Sequence, residues 1–231
     1  MRVRTISRGL MAAALLVLIP GAVRGQSIPS AFRFVETRQE VGFFVGRASM
    51  AKGRFGFGPA ATTEFGARWG IDLSGPLGFE AVAGLLSGTR DVVNPAQVVG
   101  DRRIGEADVR MGTLDGRLRF TLTGDRTWHR LAPFIVAGGG IAFDMSKAQA
   151  IDEELLVDDR FDFGTSFFGT MGGGARFFVS DRVALRGDAV FSLWKIDTPP
   201  GFSSADRGFT SVEQSEWVSG LHLTVATMIR F

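Results

Sequence analysis

Histidine is the side chain most suited to acid–base chemistry near neutral pH, and the chain of 231 residues contains only two. His222 lies within "EWVSGLHLTVATMIRF", two residues before Thr224, and His129 lies in the short polar segment "TGDRTWHRLA". A catalytic histidine needs hydrogen-bond reach to a serine and a carboxylate, and access to substrate. We expect His222 instead to form a hydrogen bond with a neighbouring carboxylate. The sequence therefore predicts no catalytic residues and no enzyme.

An acidic segment, "AIDEELLVDDRFD", is a second place where chemistry could occur. Five carboxylates there could gather a divalent cation. They are Asp152, Glu153, Glu154, Asp158 and Asp159. Their spacing does not match an EF-hand, so we expect a solvated loop. Asp101-Arg102-Arg103 could contact phosphate groups or serve only solubility. The sequence predicts no metal site and no cofactor, and without cysteine it has no thiolate ligands and no disulfides.

Two glycine triplets, Gly138–Gly140 and Gly172–Gly174, invite a phosphate-loop interpretation. Neither triplet has the lysine of such a loop, and neither leads into a helix. A hairpin centred near residue 156 would place Gly139 opposite Gly173. The triplets would then lie side by side and form a patch without side chains, which leaves room for bulk opposite or, alternatively, for a small solute.

The elements that must position these residues are strands, because apolar residues recur at every second position. The predicted strands are 38–49, 62–73, 79–90, 108–122, 132–145, 161–178, 183–195 and 215–231. Long, mobile loops alternate with short turns, which is typical of an outer-membrane barrel. We predict an all-β fold, a closed up-and-down antiparallel transmembrane β-barrel of eight strands. Ten strands are the alternative if "AQVVGDRRIGEA" contains a further hairpin.

The charges within these strands share one face. The predicted lumen charge network comprises Glu40, Glu64, Arg68, Asp72, Glu80, Asp115, Arg117, Arg119, Asp162, Arg176, Arg186, Asp188 and Arg230. An arginine or lysine facing lipid at the midplane costs about 2–4 kcal/mol, so the charged face should line the interior. A water-soluble barrel would reverse the two faces. Because both signs are nearly balanced, we expect paired charges that plug the lumen, with a narrow pore as the alternative.

Aromatic residues on the other face lie near the strand ends, as in the two girdles of a membrane barrel. The predicted aromatic girdle comprises Phe79, Phe120, Phe177 and Phe231 at the periplasmic end and Phe143, Phe161, Phe163 and Trp217 toward the loops. Residues 1–25 read as a cleaved signal peptide, 26–37 as a periplasmic lead-in and 38–231 as the barrel. The formal net charge of +2 becomes 22 − 24 = −2 without residues 1–25, which argues against nucleic acid as a partner.

The fragment "LAPFIVAGGGIAF" and the terminal Phe231 resemble features of the eight-stranded outer-membrane β-barrel family that includes the OmpA-type transmembrane domain, OmpX and OmpW. The resemblance implies the outer membrane of Gram-negative bacteria and contact with its lipid and lipopolysaccharide. It also implies periplasmic chaperones and the barrel-assembly machinery, which reads Phe231 as an assembly signal. The expected function is a non-enzymatic role in envelope integrity or surface interaction. The alternatives are a narrow OmpW-like channel for small or hydrophobic solutes and a lipid-active enzyme. The oligomeric state is left open.

Overall fold

A computed structural model describes residues 30–35, 38–147 and 149–231. The predicted signal peptide lies outside these residues, as does part of the predicted lead-in. The strands are β1 (Phe32–Phe34), β2 (Gln39–Met50), β3 (Thr62–Ser74), β4 (Leu77–Val93), β5 (Arg103–Thr121), β6 (Arg126–Trp128), β7 (Leu131–Asp144), β8 (Thr165–Phe178), β9 (Val183–Asp197) and β10 (Ser215–Arg230). Within the described residues, no helix is long and apolar enough to cross a bilayer.

Eight of these strands close into a barrel by antiparallel pairing. Their order around the barrel is β2, β3, β4, β5, β7, β8, β9 and β10, and β10 pairs back to β2 from Gly220↔Met50 to Arg230↔Glu40. Closure matters in hydrocarbon, because each unpaired peptide group there costs several kcal/mol. The predicted fold class and strand number are therefore confirmed.

The strands are strongly staggered around the barrel. Following paired residues once around, from Phe120 on β5 through Leu223 on β10, leads back to Arg110 on β5, a displacement of 120 − 110 = 10 residues. Strand number and stagger together fix the diameter, and eight strands leave an interior filled by side chains. Residues from opposite walls therefore meet inside the barrel.

The hairpin of β4 and β5 extends farther than predicted, with pairing up to Val93↔Arg103. The segment "AQVVGDRRIGEA" forms its turn and the start of β5, so the alternative with a further hairpin there is wrong. In this extension the inward face is apolar and the outward face carries charge: Val92 and Ala107 are buried inside, whereas Glu106 is exposed outside. Such a pattern suits water around the hairpin, so this part lies beyond the apolar belt.

Two short strands lie outside the closed barrel, and the sequence pattern does not predict them. β1, within the predicted lead-in, pairs with β6, within the segment predicted as a plain turn. His129 and Arg130 follow β6 with φ of 49° and 66°, in the left-handed region, which allows the chain to turn at once into β7. Strands of three residues have too little period-two pattern to be recognised.

The glycine triplets do not lie opposite each other, contrary to the prediction. Gly139 pairs with Gly169, and Gly173 pairs with Ile135, so the β7–β8 hairpin is centred at (139 + 169)/2 = 154. The connecting loop contains a helical turn, α1 (Ala150–Glu153), and a further turn at Val157–Asp159. A long structured loop does not fix the register of its strands, whereas a two-residue turn does.

Candidate functional site

The lumen contains twelve of the thirteen residues of the predicted charge network. They are Glu40, Glu64, Arg68, Asp72, Glu80, Asp115, Arg117, Arg119, Arg176, Arg186, Asp188 and Arg230, of which only Asp72 is more than one-tenth exposed. This set contains six arginines and six carboxylates, so its formal charges cancel. Charged side chains can be buried away from water only if they pair with charges of the opposite sign.

Asp162 is the exception, because β8 begins at Thr165, four residues later than predicted. Asp162 is exposed and accepts a hydrogen bond from the Gly164 backbone N–H at 2.9 Å, closing a tight turn before the strand. An aspartate that caps a turn competes with strand structure, which ends the period-two pattern there.

The same early end of β8 changes the predicted girdle. Phe161 and Phe163 lie in the loop and pack against buried residues of the upper lumen, so they do not belong to a lipid-facing ring. The other six predicted girdle residues are not buried in the lumen and lie on the outward parity of their strands. They are Phe79, Phe120, Phe143, Phe177, Trp217 and Phe231.

Arg119 forms the centre of the lower lumen and has no exposed surface. Its guanidinium donates to Glu40 at 2.5 Å, to Glu80 at 2.6 Å and to Asp72. These carboxylates come from β2, β4 and β3, whereas Arg119 comes from β5. One planar fork therefore ties four strands together, in the arrangement for which arginine is suited.

A continuous series of ion pairs extends from Glu80 across the interior. Arg186 on β9 binds Glu80 through two parallel hydrogen bonds of 2.6 and 2.9 Å. It also donates to Asp188 at 2.6 Å. Asp188 in turn accepts from Arg68 on β3 at 2.9 Å. The series thus crosses from one wall of the barrel to the other.

Three arginines of the lower lumen also pack on aromatic rings. Arg176 donates to Glu40 at 3.3 Å and lies 5.6 Å from the ring of Phe178. Arg230 lies 4.7 Å from the same ring. Arg186 lies 4.2 Å from the ring of Phe134. Such contacts add attraction where water is excluded, and they fill the space between the charges.

The upper lumen is closed by aromatic residues from three loops, which we call the aromatic lid. Its members are Phe55, Phe57, Phe161, Phe163, Phe202 and Phe209. The rings of Phe57 and Phe161 stack at 4.5 Å, and Phe202 is fully buried with its ring 5.0 Å from that of Phe57. Aromatic contacts of this kind join loops into a core. From the sequence we expect mobile loops, and this core is not predicted, because loop residues lack a period that reveals burial.

Ion pairs fasten the loops of the lid, and they use several of the acidic and basic residues singled out in the sequence. Asp152 accepts from Arg90 at 2.7 Å, and Asp159 accepts from Arg207 at 2.5 Å. Glu153, Glu154 and Asp158 are exposed. In the part of the chain that the structure describes, no three acidic or histidine side chains are grouped as metal ligands would be.

The basic residues of the second long loop, Arg102 and Arg103, have partners within the protein. Arg102 donates to the Arg207 carbonyl at 2.7 Å and stacks 4.2 Å from the ring of Phe209. Arg103 pairs with Asp91 at 2.9 Å. Their charges therefore hold this loop against its neighbours.

Between the ionic lower lumen and the aromatic lid lies a polar group centred on His222. The Nδ1 atom of His222 is 2.8 Å from Glu64 Oε2, and its Nε2 atom is 2.9 Å from Ser192 Oγ. The expected carboxylate partner of His222 is thus Glu64. Sequence analysis missed Ser192, because only the register of β9 against β10 brings it beside the histidine.

Two buried donors near Ser192 have no hydrogen-bond partner among the described residues. They are Thr170 Oγ1 and Trp194 Nε1. Thr170 is paired with Ser192 in the register of β8 and β9. All three side chains line a small cavity of about 20 Å³, together with Glu64 and His222. Both donors are therefore available to an acceptor placed in this cavity.

Comparisons with known proteins give the fold but no family. No family model matches the chain, and no curated protein matches its sequence. Among solved structures it is similar to Neisserial surface protein A (NspA), with 13% identity and a TM-score of 0.53, over 87% of this chain and 98% of that one.

It is also similar to the outer membrane protein OprG from Pseudomonas aeruginosa, with 13% identity and a TM-score of 0.54, over 84% of this chain and 96% of that one. At such low identity the similarity establishes the architecture alone. The outer-membrane localisation expected from the sequence agrees with this similarity and with the apolar outer face of the barrel. The chain has the fold of an eight-stranded outer-membrane β-barrel.

Proposed function

We propose that this chain is a non-conducting outer-membrane barrel that contributes to envelope integrity or to contacts at the cell surface. The series of ion pairs through Arg119 is the observation that carries the proposal. It crosses the lumen at the level where an open pore would need a continuous column of water. That the chain is not an enzyme stays a prediction.

The energetics of the ion pairs favour a closed lumen. A solute that passes must separate at least one pair whose members have almost no exposed surface, such as Arg186 and Glu80. Leaving a buried charge without its partner costs about 3–5 kcal/mol. The aromatic lid adds a second barrier above it, since Phe202 and its neighbours exclude water as well as ions.

Contacts at the cell surface are supported by apolar side chains at the tips of two long loops. Val98 and Val99 at the β4–β5 turn are 77% and 78% exposed, and Leu156 and Val157 in the β7–β8 loop are 64% and 78% exposed. Exposed apolar groups on a surface that faces water favour association with another macromolecule. Interaction with lipopolysaccharide, chaperones and the barrel-assembly machinery stays a prediction.

Conductance measurements test the closed lumen. Protein folded in detergent is inserted into planar bilayers, and we expect no stable single-channel steps. The comparison variant carries Arg119→Ser, Glu80→Ser and Arg186→Ser, which remove the centre of the plug without leaving a large net charge. We expect steps from this variant, whereas a variant with Arg182→Ser at an exposed periplasmic turn stays silent. Stable steps from the wild type would overturn the proposal and favour the narrow channel.

A further inference from the structure

The three polar side chains of the upper lumen have the connectivity of a nucleophile, a base and an acid. Glu64 on β3 contacts His222 on β10, and His222 contacts Ser192 on β9. When Nδ1–H donates to the Glu64 carboxylate, Nε2 is left as the acceptor for the Ser192 hydroxyl. This order of contacts is the one that activates a serine for attack on a carbonyl.

The backbone opposite Ser192 leaves room for this arrangement. Gly220 pairs with Ser192 across β9 and β10. A Cβ atom at position 220 would lie 2.9 Å from Ser192 Oγ and 3.6 Å from His222 Nε2. A contact of 2.9 Å is shorter than carbon and oxygen tolerate, so an alanine would push the hydroxyl away. Glycine at this position therefore keeps the hydrogen bond between serine and histidine unobstructed.

The partnerless donors of the same cavity supply what an attacked carbonyl needs. Thr170 and Trp194 are 7% and 4% exposed, and neither donor has a partner among the described residues. Thr170 faces the cavity from the position paired with Ser192, and Trp194 lies two residues farther along β9. Donors that are already desolvated stabilise an oxyanion strongly, because no water has to be removed when the charge develops.

A crevice in the upper wall leads from the outer face toward this cavity. It has a volume of about 250 Å³ and lies where β9 continues past the first residues of β8. Exposed Phe167 and Trp217 line its outer part, and buried Trp194 lines its inner part. Trp194 also lines the small cavity, so its side chain is shared by the crevice and the space beside Ser192. Seven apolar side chains line the crevice together with Thr165, Ser166, Lys195 and Asp197, and its aromatic side suits an acyl chain.

We propose that Ser192 is an acyl acceptor, activated by His222 and Glu64, for carboxylic esters that carry an apolar acyl chain. Ser192 Oγ attacks the ester carbonyl carbon while its proton passes to His222 Nε2. The bond between the carbonyl carbon and the alcohol oxygen then breaks, and His222 returns the proton to the departing alcohol. Water hydrolyses the acyl-serine through the same two steps. Thr170 donates to the oxyanion. Trp194 must swing aside to admit the ester, and its N–H reaches the oxyanion only after the ring has swung back.

The proposed chemistry does not depend on the closed lumen, because the cavity is lined by the pair of Asp115 and Arg117 and by none of the residues in the series of ion pairs through Arg119. It would, however, replace the prediction that the chain is not an enzyme. Conductance and serine reactivity are measured separately, so either proposal can fail without the other.

The test is covalent labelling of the full chain, folded in detergent, by a fluorophosphonate probe with a long alkyl chain. We expect labelling, with the probe located on the peptide that contains Ser192 by mass spectrometry. Ser192→Ala should abolish it, and His222→Gln should slow it by on the order of 1,000-fold, since glutamine can hydrogen-bond but cannot take the proton. Thr170→Val should slow it by about 100-fold, as expected for loss of one oxyanion donor.

Two further variants distinguish activation from mere accessibility. Gly220→Ala should reduce labelling, because it displaces the hydroxyl from His222. Ser49→Ala, on the outward side of β2, should leave labelling unchanged. Folding of every variant is checked by the shift in gel mobility on heating. An unlabelled wild type, or a probe found on another serine, would overturn the proposal even if Ser192→Ala failed to fold.

Discussion

Replacing Arg119 by methionine removes the charge at the centre of the lumen while keeping most of the side-chain volume. Glu40 would retain Arg176 at 3.3 Å, and Glu80 would retain Arg186 at 2.6 Å. The variant would nevertheless bury one uncompensated negative charge. Breaking a buried pair by removing one partner costs about 3–5 kcal/mol. Because both buried carboxylates keep a partner, we expect the lower end, about 3 kcal/mol of unfolding free energy.

Equilibrium unfolding by urea in lipid bilayers, followed by tryptophan fluorescence, measures this loss. The double variant Arg119→Met/Glu80→Gln restores a balanced charge count, so we expect it to be more stable than Arg119→Met alone. Arg182→Met, at an exposed turn, is the matched control and should change the free energy by less than about 0.5 kcal/mol. A loss below about 1 kcal/mol for Arg119→Met, with an unchanged slope against urea, would refute the argument that the buried pairs are closely coupled.

Three further predictions concern the lid, the wall and the outer face. Phe202→Ala should lower the unfolding free energy by about 3–5 kcal/mol, because the ring is fully buried. It should also increase proteolysis of the loops in the folded protein. Loops as protease-resistant as in the wild type would contradict the packing of the aromatic lid. Gly138→Ala should prevent closure of the barrel, since its Cβ would lie 2.1 Å from the Gly116 carbonyl oxygen. The control Gly169→Ala should fold normally, because a Cβ there would have no neighbour within 4 Å. The shift in gel mobility on heating measures folding of both variants, and equal folding would show that the strands can separate. Val225→Arg on the outer face should cost about 2–4 kcal/mol in bilayers, and Ser219→Arg, nearer the loops, about 0–1 kcal/mol; equal costs would argue against a hydrocarbon environment.

The parity of charged residues was sufficient to predict the barrel and the content of its lower lumen. Residues such as Arg186 and Asp188 alternate with Leu185 and other apolar neighbours over a whole strand, so their common direction is fixed by strand geometry alone. Which carboxylate each arginine binds could not be predicted, because that depends on the stagger between strands that are distant in the sequence. The pair of Arg68 with Asp188 spans 120 residues.

The aromatic lid and Ser192 could not be predicted, for two different physical reasons. Phe161 and Phe163 continue the apparent alternation of β8, and only the turn formed by Asp162 and Gly164 separates them from the strand. Ser192 lies at an inward-facing position of its strand. Its partner His222 can be identified only when the register of β9 with β10 is known. The local alternation therefore predicts which face of the barrel each residue occupies. The contacts of the candidate site depend on the register between strands that are distant in the sequence.

The buried pairs also bear on how the cylinder is assembled with its strands correctly aligned. A slip by one residue exchanges the two faces of a strand, and on β9 it would turn Arg186 toward acyl chains and Leu185 inward. Each arginine misplaced at mid-depth costs about 2–4 kcal/mol, and its former carboxylate partner is stranded as well. Several strands carry such a residue, so faulty alignments are penalised at many places at once. The interior charges thus select the correct strand register during barrel closure, whatever function the folded barrel has.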